Sequence, residues 1–124
     1  MIRDLARSLI APAEPETWPD HLRAMLRPLQ EAFAAHRAVT EGDDGLYAEV
    51  VFDAPRLAGA VDGLVAEHDA IGSAMERLAA DASVGADADV LRRDALEVLD
   101  ELAQHRQRDS DLVYEAYATD IGGE

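Results

Sequence analysis

Three imidazoles and a carboxylate stand where a helical protein ordinarily keeps leucine. Read in steps of three and four, "ELAQHRQRDSDLVYEAY" passes through Leu102, His105, Asp109, Leu112 and Ala116. The same rhythm upstream runs Leu57, Val61, Leu64, His68, Ile71, Met75 and Leu78, and before that Leu22, Leu26, Leu29, Phe33, His36 and Thr40. Each unpaired polar group on such a seam costs roughly 1–3 kcal/mol once buried. A metal ion relieves all three imidazoles at once. Asp109, one turn beyond His105, shares its face and adds an oxygen donor. Imidazole and carboxylate together suit iron or zinc, so metal ligation is the chemistry expected of His36, His68, His105 and Asp109.

Other chemistry finds less support. His21 sits beside Leu22 near a helix start and reads as a surface residue. With no cysteine in the chain, disulfides, thiolate sites, iron–sulfur clusters and cysteine nucleophiles are excluded. "EGDDG" lacks the preceding strand and the lysine of a phosphate-binding loop. Ser8, Ser73, Ser83 and Ser110 have no nucleophile-elbow context, and Ser110 is poorly spaced from His105 for a base–nucleophile pair. Tyr47, Tyr114 and Tyr117 could face a site, but packing or surface roles suit them better. An oxidase using an open metal position would be the enzymatic reading, yet no substrate signature accompanies it.

The elements that must position these residues are helices. The 124 residues make one domain, 48% hydrophobic, 30% charged and only 5% aromatic, a balance that favours helix over sandwich or barrel. "IRDLARSLI" makes a short helix over residues 2–10, which "APAEPE" breaks. Helix resumes in "TWPDHLRAMLRPLQEAFAAHRAVTE", with Thr17 as N-cap, Asp20 in the capping-box position and Pro28 as a kink point. "LYAEVVFDAP" has strand propensity but no partner strand, and reads as a last helical stretch ending before Pro55. Two further helices run from about Pro55 to Asp81 and from about Asp87 to Thr119, where "IGG" supplies a C-cap. The fold expected is an all-α, antiparallel up-down bundle of three long helices with a stunted first helix.

Antiparallel helices bring residues level when they lie equally far from the shared turn. His68 stands about 16 residues before the turn near Val84 and His105 about 21 after it, with about six spent on the turn itself, an offset of roughly one helical turn or less. His36 reaches a similar height because "GDDG" adds little rise. The three imidazoles are expected to meet at one level.

In this order, these motifs resemble the bacterial hemerythrin-like family, the HHE cation-binding domains. "AHRAVTE" looks like that family's second-helix motif, carried by His36. "LVAEHDAI" looks like the third, carried by His68, and "AQHRQRDSD" like the fourth, carried by His105, with Asp109 in place of the usual glutamate. The similarity covers about residues 29–118, including the proline-led approach "DAPRLAGAVDGLVAEH". The resemblance implies a hemerythrin-like four-helix bundle holding non-haem iron, often as a carboxylate-bridged di-iron centre, with roles in dioxygen binding, redox sensing or iron handling. Two departures bear on the ligand set. Thr40 stands four residues after His36, and the acid follows at Glu41, about 140° round an ideal helix, so Glu41 joins only where the helix breaks. Residues 1–20 contain no histidine, so the usual first-helix ligand is absent. The expected ligands are His36, His68, His105, Asp109 and, ranked last, Glu41, around mono- or di-nuclear iron or around zinc.

The alternative is a degenerate bundle without metal, in which the histidines pair with Asp109, Glu41 and Thr40 and the domain serves as a protein-interaction module. Partners are bounded by charge. A formal net charge of −15, from 26 acids against 11 bases, repels nucleic acid and anionic membranes. No apolar run approaches 18 residues and the N-terminal stretch does not read as a secretory signal, so a cytoplasmic location is expected. A stunted first helix would leave an apolar strip for a second chain, and a homodimer with "RDLARSLI" near the contact is expected.

Overall fold

The computed structural model of the protein describes residues 18–118. They form four α-helices: α1 Trp18–Glu41, α2 Leu46–Asp53, α3 Ala58–Ser83 and α4 Ala88–Val113. A 3-10 turn, Pro55–Leu57, leads into α3, and a π-helical turn, Tyr114–Ala118, continues α4. No strand occurs among the described residues. The three long helices of the sequence reading are present, and "LYAEVVFD" is helical, forming the short α2. Three boundaries move. The third helix begins at Ala58, after the 3-10 turn that Pro55 initiates, and extends to Ser83; the last gives way to π-helix at Tyr114. The expected helix over 2–10, the Thr17 cap, the "RDLARSLI" contact and the "IGG" cap lie outside the described residues.

The helices form where the seams predict. In α1 the buried positions are Trp18, Leu22, Leu26, Leu29, Phe33 and Thr40, one stripe at helical period. Pro28 lies inside α1, which continues through it. A proline there removes the N–H that would bond the Ala24 carbonyl, but both residues are exposed, so that carbonyl can turn to water. Asp87 caps α4, its carboxylate accepting from the Asp89 and Val90 amides at 2.8 and 3.3 Å. Gly85, at φ +77°, takes the left-handed conformation that turns α3 into α4.

Cross-helix pairs define the topology. Arg37 reaches Asp69 while Phe33 lies beside Gly72, so α1 and α3 run antiparallel. α3 and α4 are antiparallel across their short turn. α1 and α4 both pack chiefly on α3, leaving between them a groove of about 370 Å³ lined by Leu29, Phe33, His36, Leu102, His105 and Asp109, among others.

Two apolar cores result. The larger joins Trp18, Leu22, Leu26, Leu29 and Phe33 to Ile71, Met75, Leu78, Leu91, Ala95, Val98 and Leu102. The smaller joins Tyr47 and Val50 of α2 to Val61, Leu64, Leu112 and Ala116. Along α3 the chain leaves the small core at Leu64 and enters the large one at Ile71; along α4 it leaves the large one at Leu102 and enters the small one at Leu112. The histidines occupy the layer between.

Candidate metal centre

His68 is fully buried and His105 is 3% exposed, while His36 lines the groove, half-buried. Their ring centroids are 4.5 Å apart for His68–His105, 5.2 Å for His36–His68 and 5.8 Å for His36–His105. Asp109 completes the group. One donor atom from each of His36, His68, His105 and Asp109 can be chosen so that all four lie within 4.8 Å of one another. Since bonds from imidazole or carboxylate to such metals are about 2.0–2.2 Å, opposite ligands of one ion stand roughly 4 Å apart. The arrangement is near the size of a loaded site.

The hydrogen bonds around the rings determine which nitrogens remain free. His68 Nδ1 lies 2.6 Å from Glu41 Oε2, and His105 Nδ1 lies 2.8 Å from Glu67 Oε1. Each of these glutamates is held in turn by an arginine: Arg37 Nε donates to Glu41 at 2.8 Å, and Arg108 Nη1 donates to Glu67 at 2.9 Å. With Nδ1 engaged by a carboxylate, the proton belongs on Nδ1 and the Nε2 lone pair is the donor. Both Nε2 atoms are buried, and neither has a hydrogen-bond partner. His105 Nε2 does lie 3.1 Å from Asp109 Oδ2, but off the direction a hydrogen bond needs, so the two are neighbours rather than a bonded pair. His36 Nε2 lies 3.1 Å from the same oxygen. Two orphaned, buried imidazole nitrogens beside a carboxylate oxygen fit a cation.

Glu41 stands where helical geometry sends it. α1 stays helical to its end at Glu41, so the side chain leaves the seam and comes to His68 from the Nδ1 side. It backs a candidate ligand rather than joining the four-residue group. Thr40 does occupy the seam, but its hydroxyl donates to the His36 and Arg37 carbonyls at 2.8 and 3.3 Å, a common habit of threonine within a helix. His21 is exposed, far from the other histidines along α1.

Two side chains at the centre escaped the sequence reading. Glu67 directly precedes His68, about 100° off its seam, and looks like a solvated charge. Its signal was the glutamate of "LVAEHDAI" together with Arg108, which follows His105 by three. Tyr47 read as a packing residue; it packs in the small core, and its hydroxyl also donates to Asp109 Oδ1 while its ring stacks on His68 at 5.8 Å. Gly45 makes that approach possible. A Cβ there would meet the Val39 carbonyl oxygen at 2.5 Å, so only glycine lets the chain double back tightly enough to set α2 over the end of α1.

A model of the hemerythrin HHE cation-binding domain matches residues 1–117. The chain belongs to that family. No curated protein and no solved structure matches it. In this hemerythrin-domain protein, the family's cation-binding character meets a cluster of three histidines and one aspartate built from three helices.

Electrostatics favour the neutral form of His68. Burial holds His68 below the ordinary imidazole value, an effect the Glu41 hydrogen bond only partly opposes and the neighbouring His105 and His36 reinforce. Arg37 holds Glu41 below the usual carboxylate range, with burial working against it and His68 adding a smaller push downward. Burial, aided by the Asp109 contact, pushes the Tyr47 phenol far up, so it remains a donor.

A pH dependence follows for the metal-free protein. As pH falls through about 6.5, the unfolded chain protonates His68 before the folded one does. Stability present above that value is therefore lost on acidification, and Glu41 adds a second loss below about 4.3. The melting temperature should fall between about pH 7.5 and pH 5, and His68→Leu should flatten the slope. Equal slopes in the two proteins would refute the assignment.

Proposed function

We propose that this hemerythrin-domain protein binds non-haem iron through His36, His68, His105 and Asp109 and uses it to bind dioxygen or sense redox state in the cytoplasm. The observation that carries the reading is the pair of buried Nε2 atoms, of His68 and His105, without partners and next to Asp109. Iron held there supplies one-electron redox chemistry and coordination positions that the protein leaves open. Glu41 and Glu67 fix the tautomers of two ligands. The groove beside His36, His105 and Asp109 exposes mainly apolar surface, although Arg106 and Ser110 also line it, which suits entry of a small uncharged molecule over an ion.

Elemental analysis of protein purified without added metal, together with its visible absorption spectrum, tests the proposal. Iron with ligand-to-metal charge-transfer bands is expected. Zinc without such bands would reassign the centre as structural. A metal-free protein that also fails to take up Fe(II) or Zn(II) would favour the interaction module, with the histidines as buried polarity.

A further inference from the structure

Granted that the four residues bind metal, we infer that Tyr47 holds Asp109 as a one-oxygen ligand and that the centre takes a single metal ion. The two oxygens of Asp109 face different neighbours. Oδ2 lies 3.1 Å from both His36 Nε2 and His105 Nε2, inside the cluster. Oδ1 accepts from the Tyr47 hydroxyl. That hydroxyl cannot easily be drawn away. Tyr47 is 3% exposed, its ring stacks on His68, and the tight turn at Gly45 sets the start of α2. Releasing Oδ1 to a second ion would cost the buried phenol its carboxylate acceptor and leave it only the weaker, neutral Thr40 hydroxyl.

The spread of the donors points the same way. Two metals in a shared site sit about 3.5–4 Å apart, so ligands at opposite ends of the pair stand roughly 7–8 Å from each other. Here all four donor atoms fall within 4.8 Å, the span of one ion. Among the described residues, the nearby carboxylates do not supply a bridge. Glu41 and Glu67 stand behind His68 and His105 on their Nδ1 sides, each tied to an arginine. Thr40, in the seam position one turn after His36, turns its hydroxyl back to its own helix. Residues 1–17 contribute no histidine. Tyr47 is thus a positioning residue that acts through Asp109.

Anaerobic titration of the metal-free full-length chain with Co(II), read by visible absorption and by metal analysis after gel filtration, tests this. Wild-type protein should saturate at about one Co(II) per chain, as four clustered donors allow. Tyr47→Phe should keep that count but bind about 10–100-fold more weakly, the usual effect of removing a partner that orients a ligand. Its d–d bands should lose intensity as Asp109 is freed to grip the ion with both oxygens and raise the coordination number. Lost packing alone would leave the band pattern unchanged. Two Co(II) per wild-type chain would overturn the inference and leave metal binding standing, whereas no bound Co(II) would overturn the reading beneath it. Wild-type affinity and spectrum in Tyr47→Phe would remove the role given to Tyr47. The wild-type count decides the number of metals whether or not the variant folds.

Discussion

His68→Ala is expected to abolish metal binding and leave a folded bundle. His68 is the central ring of the cluster: it stacks on Tyr47, faces His105 at 4.5 Å between centroids and carries one of the two orphaned Nε2 atoms. Losing an outer partner costs about 10–100-fold in affinity, so losing a ligand should cost more than about 100-fold. The fold survives for a separate reason. His68 touches each apolar core through one ring, Phe33 on one side and Tyr47 on the other, while the remaining core residues pack among themselves, and Glu41 keeps its bond to Arg37 at 2.8 Å. Circular dichroism should show wild-type helix content, and equilibrium dialysis with Fe(II) or Zn(II) should show no uptake. His21→Ala should change neither measurement, because His21 is exposed and outside the cluster. If His68→Leu instead raised the melting temperature and left metal content unchanged, the histidines would be tolerated core polarity and not ligands.

Leu91→Ala should do the reverse, weakening the fold and sparing the site. Leu91 is 0% exposed and lies in the large core with Leu22, Leu78 and Ala95. Truncating a fully buried leucine costs about 2–5 kcal/mol, from lost transfer energy and the cavity left behind. In a domain of this size that lowers the melting temperature on the order of 10 °C or more. Leu91 is fourteen residues from His105 along α4, roughly 21 Å at the rise of a helix. Well below the transition, metal affinity should therefore stay within about twofold of wild type, since changes that far apart are usually independent. An affinity loss as large as that of His68→Ala would mean that the centre and the large core are one cooperative unit.

The sequence by itself determined the faces of the long helices. Burial in an α-helix repeats at 3.6 residues, so a run such as Val61, Leu64, His68, Ile71, Met75, Leu78 marks its inward stripe without reference to any partner. His36, His68, His105 and Asp109 were legible for that reason: each interrupts such a stripe. Their common level was legible too, because rise per residue and turn length are local quantities. Glu41 was legible as a carboxylate close to the histidines, but its place behind His68 was not, nor were the places of Glu67, Arg37, Arg108 and Tyr47. Each glutamate and arginine lies off its own seam, where a charged residue ordinarily faces water. What gives it a partner is the approach of a second helix: α1 brings Arg37 and Glu41 to His68, and α3 brings Glu67 to His105 and Arg108. Tyr47 depends on a still less local event, the close reversal at Gly45 that lays α2 over the end of α1 and sets a phenol against Asp109. Periodicity says which side of a helix is inward, but not which atom of a neighbouring helix will stand opposite. That depends on the rotation and separation of the packed helices, and at this centre those determine the tautomers of two imidazoles and the single oxygen that Asp109 presents.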